Sequence, residues 1–413
     1  MEPELISVLL IAFVWPEPRS SAAGVRVMNV IRALAQPPFS VTVACPATNE
    51  EARLELEKSG VRTQAISLND SSFDEWLKNV KPEVVIFERF LMEEQFGGRV
   101  FEVCPDATRI LDTIDLQSVR RLREEAHKKG LKSVEWEGDD LLRELASIYR
   151  CDHSWVVSDF ERDLLTQQLG IPAELVSVSR LGEDYSPASR RRDERLHFGM
   201  IGNFRHAPNH DSVLWLRREI WPLVRARLPS AEVHVFGAYV QKEIQALHEP
   251  KSGFFVEGWA ENARDALARY RVNLAPLRFG AGIKGKVIDG WASGTSCVGT
   301  AIAAEGMTEG YPFGGIVTST LGAEEFANAM VALHEDSKEW ERQSEAAGRV
   351  YAGLYGAAVI EEGVRICLLE THRNRTALRK RNRIGQMLRL SSMKSTLYFS
   401  RWLELKGRAT RQP

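Results

Sequence analysis

Short apolar runs alternate with stretches of helical periodicity in two successive parts of the chain. In the first part, apolar runs predict six strands, a buried one at residues 5–14 and others at residues 41–45, 61–68, 83–87, 108–112 and 155–158. Between these runs apolar residues recur at helical spacing, as in the helix predicted over residues 24–35. Strands that alternate with helices predict a parallel sheet with helices on both faces.

The alternation stops at a polar, charged stretch and then restarts. Residues 186–195 lack apolar periodicity and predict a linker. Beyond it, strands are predicted at residues 196–201, 232–236, 254–257, 272–275, 296–300 and 316–318, and Asp211 is expected to cap the first helix. The sequence therefore predicts an α/β protein of two Rossmann-like, doubly wound parallel-sheet domains, residues 1–185 and 196–360. Such sheets bind ligands at the carboxyl ends of their strands, so we expect the two domains to face each other across a ligand-binding cleft.

Length and composition fit this division. A chain of 413 residues is too long for one core and suits two domains. The apolar run at residues 5–15 is too short to span a bilayer, and the residues before it include Glu2 and Glu4 instead of the basic residues of a signal peptide. The five cysteines are scattered and form no CxxC pair, as is typical of reduced intracellular proteins. We therefore expect a cytoplasmic protein.

The charge is distributed unevenly. Residues 373–413 contain 12 Lys/Arg and one acidic residue, Glu404, whereas the other residues contain 42 basic and 55 acidic ones. The segment 361–413 is predicted to be a C-terminal helix and a basic tail. Its interspersed apolar residues fit either an amphipathic helix on an anionic membrane or a helix that crosses back to the first domain before a disordered end. Nucleic-acid binding is the weaker option, and we expect no nucleic-acid partner.

A glycine-rich loop in the second part carries the clearest signal for chemistry. A strand ends near Ala275, and the loop that follows contains Gly280, Gly282, Lys284 and Lys286 before a helix begins. Free N–H groups at the start of a helix, together with lysines, suit a bound diphosphate. Asp289, one turn into the helix, is expected to accept hydrogen bonds from ribose or sugar hydroxyls. The alternative is a solvated, flexible loop.

Two loops of the first part are further candidates. The loop at residues 15–26 contains Ser20, Ser21 and Gly24, which are expected to contact either the acceptor or the donor phosphates; the alternative is a plain connection in which Ser20 or Ser21 caps the following helix. Asp115 follows a predicted strand and is a candidate base for the acceptor hydroxyl; the alternative is a helix N-cap.

Two loops of the second part complete the candidate site. Asn203 and Arg205 lie in the first strand-to-helix loop, where Arg205 is expected either to bind phosphate or to lie in solvent. Glu305 and Gly306 follow the strand at residues 296–300, and Glu305 is expected either to hold sugar hydroxyls or to be a surface acid at a turn. The sequence has no Asp-x-Asp, HExxH, P-loop or GxSxG motif, so we expect no metal at the site.

These segments resemble the GT-B glycosyltransferases, specifically glycosyltransferase family 4, the group 1 type. The likeness is carried by Gly202–Asn203 followed by Pro208–Asn209 and a tryptophan-rich helix, and by residues 276–294 and 300–307. Residues 196–320 resemble the family strongly; residues 5–170 do so more loosely, by pattern and by the element at residues 158–161.

The resemblance implies a retaining transferase that moves a sugar from a nucleotide-diphosphate-sugar donor to a hydroxyl of a glycan, lipid or other acceptor, without a cofactor or metal. Lys286 would then be catalytic by holding the diphosphate, and Asp289 and Glu305 would hold nucleotide or sugar hydroxyls. Ala281 and Asp289 stand where many members have two glutamates, and Ile114–Asp115 where many have a histidine. Two alternatives therefore stay open: a non-catalytic sugar-nucleotide-binding or scaffold protein on the same fold, and a sugar-nucleotide epimerase.

Overall fold

The computed structural model describes residues 5–18, 21–131, 133–182 and 191–409. These residues form two α/β domains, each built on one parallel sheet with helices on both faces. This arrangement confirms the predicted fold class. None of the helices within the described ranges is long and apolar enough to cross a membrane.

The first sheet has seven parallel strands in the order β3-β2-β1-β4-β5-β6-β7. They are β1 (Ile6–Ile11), β2 (Phe39–Cys45), β3 (Arg62–Ala65), β4 (Val84–Glu88), β5 (Thr108–Asp112), β6 (His153–Val156) and β7 (Val176–Val178). Both faces of the central strands are buried: Leu9 packs into the core on one side of β1 and Leu10 into the core on the other. Strands buried on both faces are continuously apolar, which is why the sequence pattern located them.

Helices on both faces connect these strands. They are α1 (Ala22–Leu34), α2 (Glu50–Lys58), α3 (Ser72–Val80), α4 (Arg89–Val103), α5 (Gln117–Lys128), α6 (Asp139–Arg150) and α7 (Asp159–Asp163).

The second sheet has six parallel strands in the order β10-β9-β8-β11-β12-β13. They are β8 (Leu196–Ile201), β9 (Val233–Phe236), β10 (Phe254–Gly258), β11 (Tyr270–Ala275), β12 (Ser296–Thr300) and β13 (Gly315–Thr318). Its helices are α8 (Ala207–Trp215), α9 (Trp221–Arg227), α10 (Lys242–Gln245), α11 (Ala263–Leu267), α12 (Gly285–Ala292), α13 (Ala301–Ala304), α14 (Ala323–Glu335) and α15 (Ser337–Leu354). All six predicted strands of this domain are present.

Asp211 does not cap the first helix of the second domain. The helix α8 begins at Ala207 after His206, so Asp211 lies within it, and its carboxylate pairs with Arg278. Of the predicted linker, residues 186–190 lie outside the described residues. Arg195, its last residue, is buried against the second domain, where Nη1 donates to the Thr295 hydroxyl at 2.7 Å.

The C-terminal segment returns to the first domain. Helix α16 (Ala357–Arg381) packs on α1, and α17 (Arg383–Leu388) and α18 (Lys394–Ala409) follow it. Arg379 binds the buried Asp152 carboxylate through Nε at 2.7 Å and Nη2 at 2.8 Å. The crossover is therefore present, but the disordered end expected after it is wrong for the described residues, because the chain continues as helix to Ala409.

Candidate active site between the two domains

A cavity of about 930 Å³ lies between the two sheets and is lined by both domains. The strand order reverses direction between β1 and β4 in the first sheet and between β8 and β11 in the second. Residues at or just after the carboxyl ends of all four of these strands line the cavity. It therefore occupies the ligand-binding position of both doubly wound sheets at once.

The glycine-rich loop enters this cavity from the second domain. Gly282 has φ +67°, and a Cβ there would come within 2.9 Å of the Asp115 Cβ in the first domain. Helix α12 begins directly after this loop, and the side chain of its N-cap residue, Lys284, makes no capping hydrogen bond. Gly285 and Lys286, the first two residues of this helix, line the cavity, so the positive end of the helix dipole lies at the cavity wall, while Val287 N donates to the Lys284 carbonyl at 2.9 Å. Gly280, Gly282 and Asp289 line the cavity, as predicted.

The two predicted lysines are buried in the cavity wall. The Lys286 ammonium donates to Asn209 Oδ1, and burial lowers the pKa of Lys286 to about 7. The Lys284 Nζ donates to the Glu305 main-chain oxygen at 3.2 Å. Burial lowers the pKa of Lys284 to about 8, against the opposing effect of the Glu305 carboxylate. Both ammonium groups have thus lost water and would gain from an anion in the cavity.

The start of α1 meets the start of α12 from the opposite domain. The Ser21 hydroxyl accepts a hydrogen bond from Gly24 N at 3.0 Å and so caps α1. Gly24 lines the cavity, and a Cβ at Gly24 would come within 2.4 Å of the Glu17 oxygen, so only glycine fits. A Cβ at Gly285 would lie 3.3 Å from the Ala22 Cβ, which shows how close the two helix starts are. Ser20 lies outside the described residues.

Asp115 lies on the first-domain side of the cavity between two arginines. Its Oδ1 accepts from Arg89 Nη1 at 3.2 Å, and its Oδ2 accepts from Arg120. It is not a helix cap, because α5 begins after Leu116 and its first two N–H groups, those of Gln117 and Ser118, donate to the Glu144 carboxylate at 2.8 and 3.1 Å. Arg89 and Ile114 both have left-handed backbone, with φ +68° and +64°, and both line the cavity. Such strain in residues other than glycine is concentrated at functional sites.

Glu305 and Gly306 do not line the cavity. The Glu305 carboxylate forms a bidentate ion pair with Arg123 of the first domain, which is neither of the two roles that the sequence suggested. A Cβ at Gly306 would come within 2.6 Å of the Ser158 Cβ, so this glycine packs against the first domain. The prediction that these two residues contact the donor is therefore not supported by their placement.

The predicted residues Asn203 and Arg205 also line the cavity. Arg205 stacks on Tyr239, with its guanidinium carbon 3.6 Å from the ring centroid. Asn203 Oδ1 accepts from Arg205 N at 3.0 Å, and Asp289 Oδ1 accepts from Arg264 Nε at 3.3 Å. Trp259 also lines the cavity and is 56% exposed.

Sequence reasoning missed several cavity residues. His206 lines the cavity with an exposed side chain, and its pKa is lowered by partial desolvation and by Arg120, against the opposing effect of Asp115. His206 and Arg89 both lie shortly after the end of a strand, and this position in the sequence could have indicated that they line the cavity. Arg120 and Trp259 gave no such signal, because their place depends on how the chain folds.

The second domain matches a known protein family. Residues 195–336 match the family model described as "Glycosyl transferases group 1". A search of curated proteins found no match.

Solved structures share the fold over most of the chain. The structure of HepE from Anabaena in complex with UDP and glucose has a TM-score of 0.66 at 12% identity, covering 88% of this chain and 100% of that one. A glycosyltransferase from Rickettsia africae has a TM-score of 0.65 at 10% identity, with 90% and 99% covered. Sucrose-phosphate synthase from Thermosynechococcus elongatus has a TM-score of 0.64 at 14% identity, with 90% and 99% covered. At these identities the likeness shows the two-domain fold.

Proposed function

We propose that the chain, a glycosyltransferase of GT-B fold, transfers a sugar from a nucleoside-diphosphate-sugar donor to an acceptor hydroxyl with retention of configuration. One observation carries the proposal: the amino ends of α1 and α12 converge on a cavity whose wall contains the buried Lys284 and Lys286. The complex of HepE with UDP and glucose supports a nucleotide-sugar donor.

The diphosphate is placed where the two helix starts meet. N–H groups at the start of a helix bind phosphate oxygens, and a second helix start adds the positive end of its own dipole. As the bond to the sugar breaks, negative charge grows on the leaving diphosphate, and preorganised donors in a closed cavity stabilise that charge. Lys286 would supply a full positive charge at this point. We place the nucleobase against the exposed ring of Trp259, beyond Asp289 and Arg264.

We assign Asp115 to binding of the acceptor rather than to proton abstraction. A general base must take up the acceptor proton, and Asp115 would then give up its ion pairs with Arg89 and Arg120, whereas each carboxylate oxygen can still accept a hydrogen bond from a hydroxyl. The acceptor proton is therefore assigned to an oxygen of the leaving diphosphate on the same face of the sugar. This front-face transfer fits the retaining chemistry that the family resemblance implies.

We propose that transfer needs no metal ion. The two helix starts and two lysines supply positive charge to the diphosphate directly, so we expect chelation with EDTA to leave the rate unchanged. Loss of transfer on chelation, restored by Mg²⁺, would contradict this.

The experiment is a donor screen followed by transfer and hydrolysis assays on the wild type, Lys286→Ala and Lys251→Ala. A donor present at a hundred times its dissociation constant should stabilise the protein by about 2.7 kcal/mol in thermal unfolding. We expect Lys286→Ala to lower the rate at least roughly 100-fold. Lys251 is exposed in the second domain and outside the cavity lining, so Lys251→Ala should match the wild type.

The outcomes separate the three candidate functions. Donor binding without transfer or hydrolysis would indicate a non-catalytic binding protein. Interconversion of sugar nucleotides without an acceptor would indicate an epimerase. Transfer that Lys286→Ala leaves unchanged would overturn the assignment of the site.

A further inference from the structure

The C-terminal helices expose an apolar surface on the side that faces away from the protein. Helices α17 and α18 are joined by a helical stretch, Arg389–Met393, into one helical run. Seven large apolar side chains of this run are each between 44% and 65% exposed. We call them the tail face: Ile384, Met387, Leu390, Tyr398, Phe399, Trp402 and Leu405.

The opposite side of the run is anchored to the first domain. Asn382 Nδ2 donates to the Tyr149 carbonyl at 2.7 Å, and a Cβ at Gly385 would come within 2.0 Å of the same oxygen. Farther along, Ser400 Oγ accepts from Arg99 Nη2 at 2.9 Å, and Glu404 accepts from the Ser71 hydroxyl at 2.7 Å. These contacts fix the rotation of the helices about their own axes. The tail face therefore points away from the first domain.

Cationic side chains accompany the tail face. Arg383, Lys394, Arg401 and Lys406 are exposed on the same run, and Arg401 also pairs with Glu102. Residues 373–413 carry 12 basic and one acidic residue, while the rest of the chain has 42 basic and 55 acidic residues, a net charge of −13. An anionic surface would thus attract this end of the molecule and repel the remainder, which sets one orientation.

We propose that the tail face docks on an anionic lipid bilayer. Tryptophan and tyrosine favour the boundary between headgroups and acyl chains, and flanking lysines and arginines contact anionic headgroups. A second copy of this chain fits less well, because a twofold contact through the tail face would bring the same cations of two copies together. Docking does not depend on the donor chemistry and would persist without any nucleotide sugar.

The test is sedimentation of the full chain, without donor, with vesicles of phosphatidylcholine alone or mixed with phosphatidylglycerol. We expect binding to the mixed vesicles that weakens as salt rises, and little binding to phosphatidylcholine alone. Replacing Trp402 and Leu405 together by Ser should weaken binding roughly tenfold or more. Lys394→Gln and Lys406→Gln should each weaken it roughly fivefold.

The control is Val359→Ser, which removes an apolar side chain that is 54% exposed on α16, outside the tail face. This variant should bind like the wild type. Equal binding to both kinds of vesicle, or full binding by the Trp402/Leu405 double variant, would overturn the proposal. A dimer in sedimentation velocity that the double variant abolishes, with no vesicle binding, would assign the tail face to a second copy instead.

Discussion

Arg123 and Glu305 join the two domains through a bidentate ion pair, with Nη1–Oε1 and Nη2–Oε2 distances of 2.6 and 2.8 Å. Arg123 lies on α5 of the first domain, and Glu305 follows α13 of the second. The same guanidinium donates to the Gly280 carbonyl at 2.8 Å. The Arg123 side chain therefore contacts both the second domain, through Glu305, and the loop that is proposed to bind the donor, through Gly280.

Replacing Arg123 by Ala should weaken donor binding more than replacing Glu305 by Ala. Arg123→Ala removes both the ion pair and the hydrogen bond to Gly280, whereas Glu305→Ala keeps the hydrogen bond. A charged hydrogen bond of this kind corresponds to roughly a tenfold change in the donor dissociation constant, which calorimetry measures. Equal losses in the two variants would show that the domain contact matters and the loop contact does not.

Donor affinity should fall as pH rises above about 7. In the free protein the pKa of Lys286 is lowered to about 7 by burial, and a bound diphosphate would raise it, because an anion stabilises the charged amine. The donor thus binds the protonated form more tightly: affinity is highest below pH 7 and decreases as the free lysine deprotonates, by up to roughly tenfold per pH unit. Lys284, with a pKa of about 8, adds a decline in the same direction at higher pH.

The pH dependence can be assigned with Lys286→Arg, since a guanidinium stays charged throughout this range. Dissociation constants of an intact nucleotide sugar, measured by calorimetry from pH 6 to 9, should then keep only the decline due to Lys284. If the variant and the wild type give the same profile, Lys286 does not meet the diphosphate.

Gly282→Ala should lower transfer activity by more than the conformational strain of an alanine at this backbone position would explain. The left-handed φ of +67° costs an alanine about 1 kcal/mol, and the new Cβ would also come within 2.9 Å of Asp115. Gly130 is a matched control, because its φ is also +67° and nothing lies within 4 Å of a Cβ there. Gly282→Ala should lose at least as much stability as Gly130→Ala in urea unfolding, but only Gly282→Ala should lose transfer. Full activity in Gly282→Ala would show that transfer does not depend on the close contact between the Gly282 backbone and Asp115.

The sequence predicted the fold well because strands buried on both faces leave a strong signal. Val84–Glu88 is apolar almost throughout, whereas β7, which was missed, is only Val176–Val178. The cavity was also predictable, since strand-end loops of doubly wound sheets meet at one edge. That rule was enough to predict, from the sequence alone, that Gly282 and Lys286 lie at the ligand-binding cavity.

Contacts between distant segments could not be predicted in this way. Arg123 and Glu305 are separated by 182 positions, and neither residue lies in a pattern that points to the other. Glu305 was therefore expected at the donor, although the docking of the domains places it against Arg123. Asp115 was correctly placed at the cavity, but its arginine partners depend on the left-handed turn at Arg89, which local pattern does not reveal.

Asp115→Asn should lower activity only modestly if the carboxylate binds rather than abstracts a proton. Loss of a general base typically lowers kcat by about 100- to 10,000-fold. The amide has the same shape and keeps one oxygen that can accept from Arg89 or Arg120, so we expect kcat to fall less than about tenfold while the acceptor KM rises. Asp115→Ala removes both acceptors and the carboxylate that the two guanidinium groups share, so its effect should be larger. Steady-state kinetics across pH separate the two roles, because a base would add an acidic limb to the kcat profile that the Asn variant lacks. A fall in kcat of more than 100-fold with an unchanged acceptor KM would return Asp115 to the role of base and remove the argument for proton transfer to the diphosphate.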